Sequence, residues 1–390
     1  MSDQPSHRQS YWRRILGQTF IRWGARLGLS WVALLALIGI FAPFLASSFP
    51  LLLSQNGAWS SPVLTYLQAE DVLFLIAFFS LLLVLPWRIS GARKLGLFVL
   101  MVSIGGGLAY SYVDPPKLVI YEQYRVAERE GAYDWVVFAP VPYSPKDYQR
   151  DLGDTGLEAP LSQAERPHWF GTEQNGADVL SRMIHASRIA LGIGFVATGI
   201  AMVIGVIIGG LMGYFSGIVD ILGMRLVEIF EAVPTLFLLL TFVAFFGRSL
   251  YIMMVIIGIT SWPGFARYVR AEFLRLRKQD FVQAAEAAGL PLPSILFRHM
   301  LPNGMGPVLV AASFGVASAI LAEATLSFLG LGLVDDPSWG EMLNQAVQSS
   351  RFNWWMAAFP GGAIFFTVFA YNLIGESLRD AIDPYLSKSN

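Results

Sequence analysis

The sequence predicts an all-α polytopic membrane protein with about eight crossings of roughly 20 apolar residues each, and three observations predict it. Of 390 residues, 55% are hydrophobic and only 14% are charged, where soluble domains carry about a quarter charged residues. Long uncharged stretches alternate with charged ones, a pattern that a single soluble core does not produce. Finally, Arg and Lys gather in alternate connecting segments, as expected when basic flanks stay on the cytosolic side. The formal net charge is −1 and no basic run is interleaved with aromatics, so nucleic acid is excluded as a partner. Cysteine is absent, which excludes disulfides, thiol catalysis and Cys-ligated metals.

Residues 1–26 carry Arg8, Arg13, Arg14, Arg22 and Arg26 and read as a cytosolic segment before a first crossing at 27–46. A cleaved signal peptide is the alternative, but the apolar stretch exceeds a usual h-region and further crossings follow. An outer loop spans 47–71, in which Asn56 and Gly57 form a hairpin-turn pair. Residues 72–113 read as a transmembrane hairpin, with apolar runs at 72–87 and 95–113 around Arg88, Arg93 and Lys94. Its second run holds Gly105, Gly106 and Gly107, tolerable in a membrane helix. Residues 114–188 turn polar and acid-rich, with a short strand expected at Trp135, Val136, Val137 and Phe138, and form the outer region. The core, 189–377, supplies five more crossings, near 189–214, 226–247, 250–268, 305–326 and 355–374. Between the third and fourth of these lies a loop, 267–303, holding Arg267, Arg270, Arg275, Arg277, Lys278 and Arg298. This basic loop and a tail at 378–390 are expected in the cytosol, which places both ends of the chain there.

The loop contains Gln283, Ala284, Ala285, Glu286, then Gly289 and, further on, Leu301 and Pro302. Ala284, Ala285, Ala287 and Ala288 form a helix without bulk, able to approach a partner closely. Gly289 ends it, Pro291 and Pro293 forbid its continuation, and Ser294 is placed to cap a second short helix through Arg298 to Met300. An ordinary basic loop with an alanine-rich helix is the bland reading of the same residues.

Three further segments stand out. His168-Trp169-Phe170-Gly171-Thr172-Glu173-Gln174-Asn175-Gly176-Ala177-Asp178 leads into an amphipathic piece ending at Arg188, expected to lie along the outer interface with its polar groups wet. A capped pre-helix loop without a ligand is the favoured reading of its individual residues. Pro337-Ser338-Trp339-Gly340-Glu341 precedes the last crossing, and Gly375 through Pro384 follows it.

The loop at 283–302 resembles the EAA loop of ABC importer permeases, and the other three segments resemble motifs of the dipeptide and oligopeptide permeases of the C type. Pro50 to Leu53, Gly57 to Trp59 and Trp135 to Pro140 further resemble the outer segment of the permease in microcin C type peptide importers. The hairpin at 72–113 departs from that pattern and reads as an insertion. The resemblance implies half of a translocation pathway for peptides or peptide-like solutes. It also implies a homologous second permease, two ATPase subunits or domains docking on the EAA-like loop, and an external solute-binding protein. Gln283 stands where the family usually has Glu, and Glu286, one turn on, either supplies that carboxylate or faces solvent.

Gly205, Gly209, Gly213 and Gly217 recur every fourth residue and form a stripe for close helix packing, within this subunit or against a second permease. Glu228, Glu231 and Glu323 are the acids nearest membrane depth; Arg225 pairs with Glu228, and Glu323 reads as interfacial. None of the five lysines follows Gly, so no phosphate-binding loop is present, and ATP and Mg are expected in a partner chain with no cofactor in this one. No His is followed by Glu and no GxSxG turn occurs, so neither zinc nor serine hydrolase chemistry is indicated. The rival reading, an ion-coupled secondary transporter, would show internal repeats, and none is evident.

Overall fold

A computed structural model describes residues 17–87, 89–164, 166–333 and 336–382. Arg8, Arg13, Arg14, Arg88, Asp383, Pro384 and most of the tail lie outside the described residues. The helices used below are α1 (Trp23–Ile40), α2 (Ala69–Val84), α3 (Gly91–Tyr112), α4 (Gln123–Arg129), α5 (Val179–Phe215), α6 (Gly217–Ala232), α7 (Thr235–Phe246), α8 (Leu250–Leu276), α9 (Asp280–Ala287), α10 (Leu301–Leu326), α11 (Trp339–Gln348) and α12 (Trp354–Ile382). The strands are β1 (Leu52–Gln55), β2 (Ala58–Ser60) and β3 (Trp135–Val137).

Among the described residues, six helices are long and apolar enough to cross a membrane, seven if the pair α6 and α7 is one span. The expectation of about eight differs at two places. The run at 72–87 becomes α2, whose 16 residues reach about 24 Å at 1.5 Å per residue, short of a hydrocarbon core of about 30 Å. The crossing at 226–247 is broken: α6 and α7 meet at a bend of 80°. Pro234 is the cause, since it lacks an N–H and drives Val233 to an extended φ −93°, ψ 124°.

The chain forms two compact units. The first comprises residues 1–33, 189–334 and 361–390. Its core joins Ile193 and Ala197 of α5, Leu239 and Val243 of α7, Met253 and Ile257 of α8, and Ala319 and Leu326 of α10. On another side, Trp31 Nε1 donates to Thr367 Oγ1 at 3.1 Å, and a Cβ at Gly28 would stand 2.5 Å from the Ala370 carbonyl, so α1 lies directly on α12. Arg22 pairs with Asp380 at the ends of the same two helices.

The second unit comprises residues 34–188 and 335–360. Its sheet has the order β2-β1-β3, antiparallel throughout, with Leu53 opposite Ser60 on one side and Val136 on the other. Asn56 and Gly57 take φ of 52° and 75°, the two positive values that a tight hairpin turn demands. Asp134 accepts from the Gly57 N–H at 3.0 Å and the Ser54 hydroxyl at 2.9 Å; these bonds hold its carboxyl below the usual range. α2 and α3 form a close hairpin, with Gly105 beneath Ile76 and Gly106 beneath Leu73. Arg125 of α4 bonds Asp147 at 2.9 Å and Asp151 at 2.6 Å. Burial opposes its charge, but these two carboxylates outweigh burial and push its pKa up.

Candidate functional site

The EAA-like segment lies in the first unit. α9 buries Val282 and Ala285 in a cluster with Phe265, Val269, Phe273 and Leu276 of α8 and with Ile295, Leu296 and Met300. Gln283, Ala284, Glu286, Ala287, Ala288 and Gly289 are exposed, so the short helix is anchored along one face and bare along the other. Its end is a complete Schellman motif. The Leu290 N–H bonds the Ala285 carbonyl at 3.2 Å and the Gly289 N–H bonds that of Glu286 at 2.9 Å, with Gly289 at φ +68°. A Cβ there would meet no atom within 4 Å.

Glu286 lies close to Tyr214 at the end of α5 and is exposed. Ser294 does not cap: the segment Ser294–Met300 is a π-helical turn with Pro293 before it and no side-chain cap bond. It runs without interruption into α10, so Leu301 is the first residue of the crossing helix and Pro302 is exposed in its first turn. The bases around the segment are largely engaged. Arg267 pairs with Glu231, Arg270 holds Asp220 with two bonds, Arg275 pairs with Glu272, and Arg277 donates to Ser216 Oγ at 2.7 Å.

Three glycines of the stripe face α8. A Cβ at Gly205 would stand 2.9 Å from the Ala266 nitrogen, at Gly209 2.9 Å from the Ala266 Cα, and at Gly213 2.7 Å from the Arg270 carbonyl. Backbone meets backbone here, within this one chain. Gly217 is not part of the contact; it sits at φ +55° as the first residue of α6 with open space around it. Arg225 and Glu228 pair at 2.5 Å on the surface. Glu323 is 2% exposed and bonded by the Ser327 hydroxyl at 2.6 Å, so its carboxyl is enclosed by the protein.

In the second unit two of the sequence motifs prove to be one cluster. Arg182 reaches Glu173 at 3.0 Å and Glu341 at 2.7 Å, the Trp339 indole donates to the Met183 carbonyl at 3.4 Å, and Trp355 donates to the Thr172 carbonyl at 3.2 Å. Asp178 accepts from the Ser181 N–H at 2.7 Å, capping α5, and contacts His168 Nδ1 at 2.8 Å. The polar groups expected to be wet are buried instead: Asp178, Ser181, Arg182 and Ser187 are each at most 5% exposed. Of the two charged groups, Arg182 finds counter-charges in Glu173 and Glu341 while Asp178 accepts from the Ser181 N–H and contacts His168, which makes their burial tolerable. Burial pushes the Glu173 carboxyl up to about 7 against the pull of Arg182, with Glu341 adding to the rise.

Among the described residues no cluster of His, Cys, Asp or Glu could hold a metal. A helical membrane bundle with an alanine-rich, one-face-anchored element between two of its spans defines a transport permease. Residues 205–388 match the family described as binding-protein-dependent transport system inner membrane component. The dipeptide transport system permease protein DppC of Alkalihalophilus pseudofirmus is 37% identical over 249 residues, 64% of this chain and 80% of its own length. The oligopeptide transport system permease proteins OppC of Bacillus subtilis and Escherichia coli K12 are 37% and 39% identical, over 65% and 64% of this chain and 81% and 82% of theirs. The chain belongs to this family, the C-type ABC permeases, and is a transport subunit of a membrane.

Proposed function

We propose that this permease forms half of a peptide pathway, opposite a homologous second permease, and is driven by two ATPase subunits or domains that hold ATP and Mg. An external solute-binding protein delivers the peptide. The observation that carries this reading is α9, fixed to the membrane helices by Val282 and Ala285 while its outer face and the Gly289 turn stand bare. Such an element transmits a push without bending, because its buried side is packed as a solid. Gln283, Ala284, Ala285, Glu286, Gly289, Leu301 and Pro302 are the coupling residues, with Glu286, exposed one turn on, supplying the carboxylate that Gln283 lacks. The names of the relatives support peptides as cargo. The protein resides in a bacterial inner membrane with both ends in the cytosol, residues 114–188 outside and 267–303 inside.

The test is reconstitution. A tagged chain purified from its host should bring an ATPase with it, and vesicles holding the complex should take up short peptides only with ATP and the binding protein. Uptake driven by an ion gradient without ATP would sink the reading in favour of a secondary transporter.

A further inference from the structure

Within the first unit, the start of α6 is joined to the end of α8 by side chains that forgo their local duties. Ser216 stands at the N-cap of α6, where a serine ordinarily bonds an N–H of the first turn, yet it makes no cap bond. Its hydroxyl instead accepts from Arg277 Nη1 at 2.7 Å. The backbone there is strained: Ser216 takes φ +51°, ψ −161°, near a region that glycine alone populates freely, and such outliers gather at switch regions. One turn on, Asp220 receives two bonds from Arg270, one of them at 2.6 Å. Arg270 and Arg277, the C-cap of α8, are two turns apart on one face. The same two turns carry α9, since Phe273 and Leu276 belong to the cluster that buries Val282 and Ala285, and the Gln279 N–H bonds the Leu276 carbonyl at 2.9 Å in the short link to α9. The end of α8 thus stands between α9 and α6. Further along, Val227 of α6 packs with Trp262 and Ala266, and Glu231 pairs with Arg267 at a more exposed site, before α6 meets the 80° break.

We propose that Arg270 and Arg277 are positioning residues that pass a displacement of α9 on to α6, and so to the broken span, through Asp220 and Ser216. The inference rests on the reading above, in which α9 meets the ATPase. A close-packed helix end moves as a unit, so a push on α9 reaches both guanidiniums. The paired bonds from Arg270 to one carboxylate fix direction as well as distance, which a single bond that pivots does not. Ser216 keeps its glycine-like conformation while Arg277 holds it, so the turn has a relaxed alternative once that bond is lost. At the far end of α6, Pro234 has no N–H to tie α7 back to it, and the break serves as the hinge.

The experiment uses the whole transporter, with ATPase and binding protein, in proteoliposomes supplied with a defined mixture of di-, tri- and pentapeptides, and reads peptide taken up per ATP hydrolysed. Asp220→Asn and Ser216→Ala each remove one contact with little change of shape. Both complexes should assemble at normal yield and hydrolyse ATP, with uptake per ATP down by about tenfold, within the span of coupling between separate sites. Glu228→Gln, whose partner Arg225 lies on α6 itself, should stay coupled. Because the chain has no cysteine, spin labels on Leu222→Cys of α6 and Phe369→Cys of α12, both exposed, report the movement directly. Their separation should change with ATP when the contacts are intact and stay fixed when Asp220→Asn is added. Normal uptake per ATP in either variant, or a label separation that ignores Asp220→Asn, overturns the inference and leaves α9 as the ATPase contact. Failure of either variant to assemble makes the contacts structural and also overturns it. Absence of ATP-driven peptide uptake by the unaltered complex overturns the proposed function itself and this inference with it.

Discussion

Asp71 and Arg188, 117 positions apart, form an ion pair in which each partner already has a second duty. The other oxygen of Asp71 accepts from the Gln68 N–H at 2.7 Å and closes the capping box of α2. Arg188 also donates to the carbonyls of Gly39 and Ile40 at the end of α1 and lies over the Phe74 ring, 5.4 Å from its centroid. The residue that enters the α5 crossing therefore secures both the first crossing and the inserted hairpin.

Asp71→Ala should accordingly be severe. Both side chains are at most 15% exposed, and removing one member of a buried pair costs about 3–5 kcal/mol because the other charge is stranded. Membrane levels of the Asp71→Ala protein should fall sharply, and the double change Asp71→Ala with Arg188→Leu should recover part of the loss. A double mutant no better than the single would mean that the pair is dispensable. Removing residues 72–113 would leave Asp71 in place and take only the Phe74 ring from the same arginine.

The pair also shows what the sequence could and could not disclose. The turn at Asn56 and Gly57, the strand at Trp135 and the helix end at Gly289 were legible because local backbone chemistry sets them within a few residues. The bend at Pro234 was not legible, because a proline in an expected crossing does not by itself break it: Pro263, Pro307 and Pro360 lie inside continuous helices of three other crossings. Burial of Arg182 was not legible: its amphipathic neighbourhood reads as interfacial until Glu341, 159 positions on, is known to cover it.

The glycine stripe gives a graded expectation. Gly209→Val places branched carbons where the Ala266 backbone already stands, an overpacking that costs about 1–3 kcal/mol or more, and should lower the amount of folded protein in detergent. Gly217→Asn, at a positive φ with free space around it, should be tolerated, because Asn accepts that conformation. Equal yields for the two proteins on size-exclusion chromatography would refute the packing account.

Glu173 gives the pH dependence. Its carboxyl is raised from 4.5 to about 7 in the folded chain, so between those values the folded state binds more proton than the unfolded one. Stability from this group is fully present below about pH 4.5 and is lost as pH rises through 7. Asp151 shifts the opposite way, downward under the hold of Arg125 despite burial, so its stabilisation is fully present above its ordinary value of 3.8 and is lost only as pH falls below it. The melting temperature of the purified protein should therefore drop by about 2–4 °C or more from pH 5 to pH 8, the shift that ~1 kcal/mol produces in a unit of this size. Glu173→Gln should flatten the curve; an unchanged slope in that variant would place the proton elsewhere.

Gly289 offers the sharpest test of coupling. Its φ of +68° costs a residue with a Cβ about 1–2 kcal/mol, and no neighbour lies within 4 Å to add a clash. Gly289→Val should therefore leave the membrane bundle folded while the turn after α9 relaxes and re-aims the exposed face of Gln283, Ala284 and Ala287. Gly131→Val is the matched control, since Gly131 has φ +73° and the same open surroundings but lies in the second unit. In reconstituted vesicles the Gly289→Val complex should hydrolyse ATP with little uptake, whereas the Gly131→Val complex should remain coupled. If both variants transport normally, α9 and its Schellman turn are not the element through which the ATPase acts. If both fail alike, backbone strain alone explains the loss.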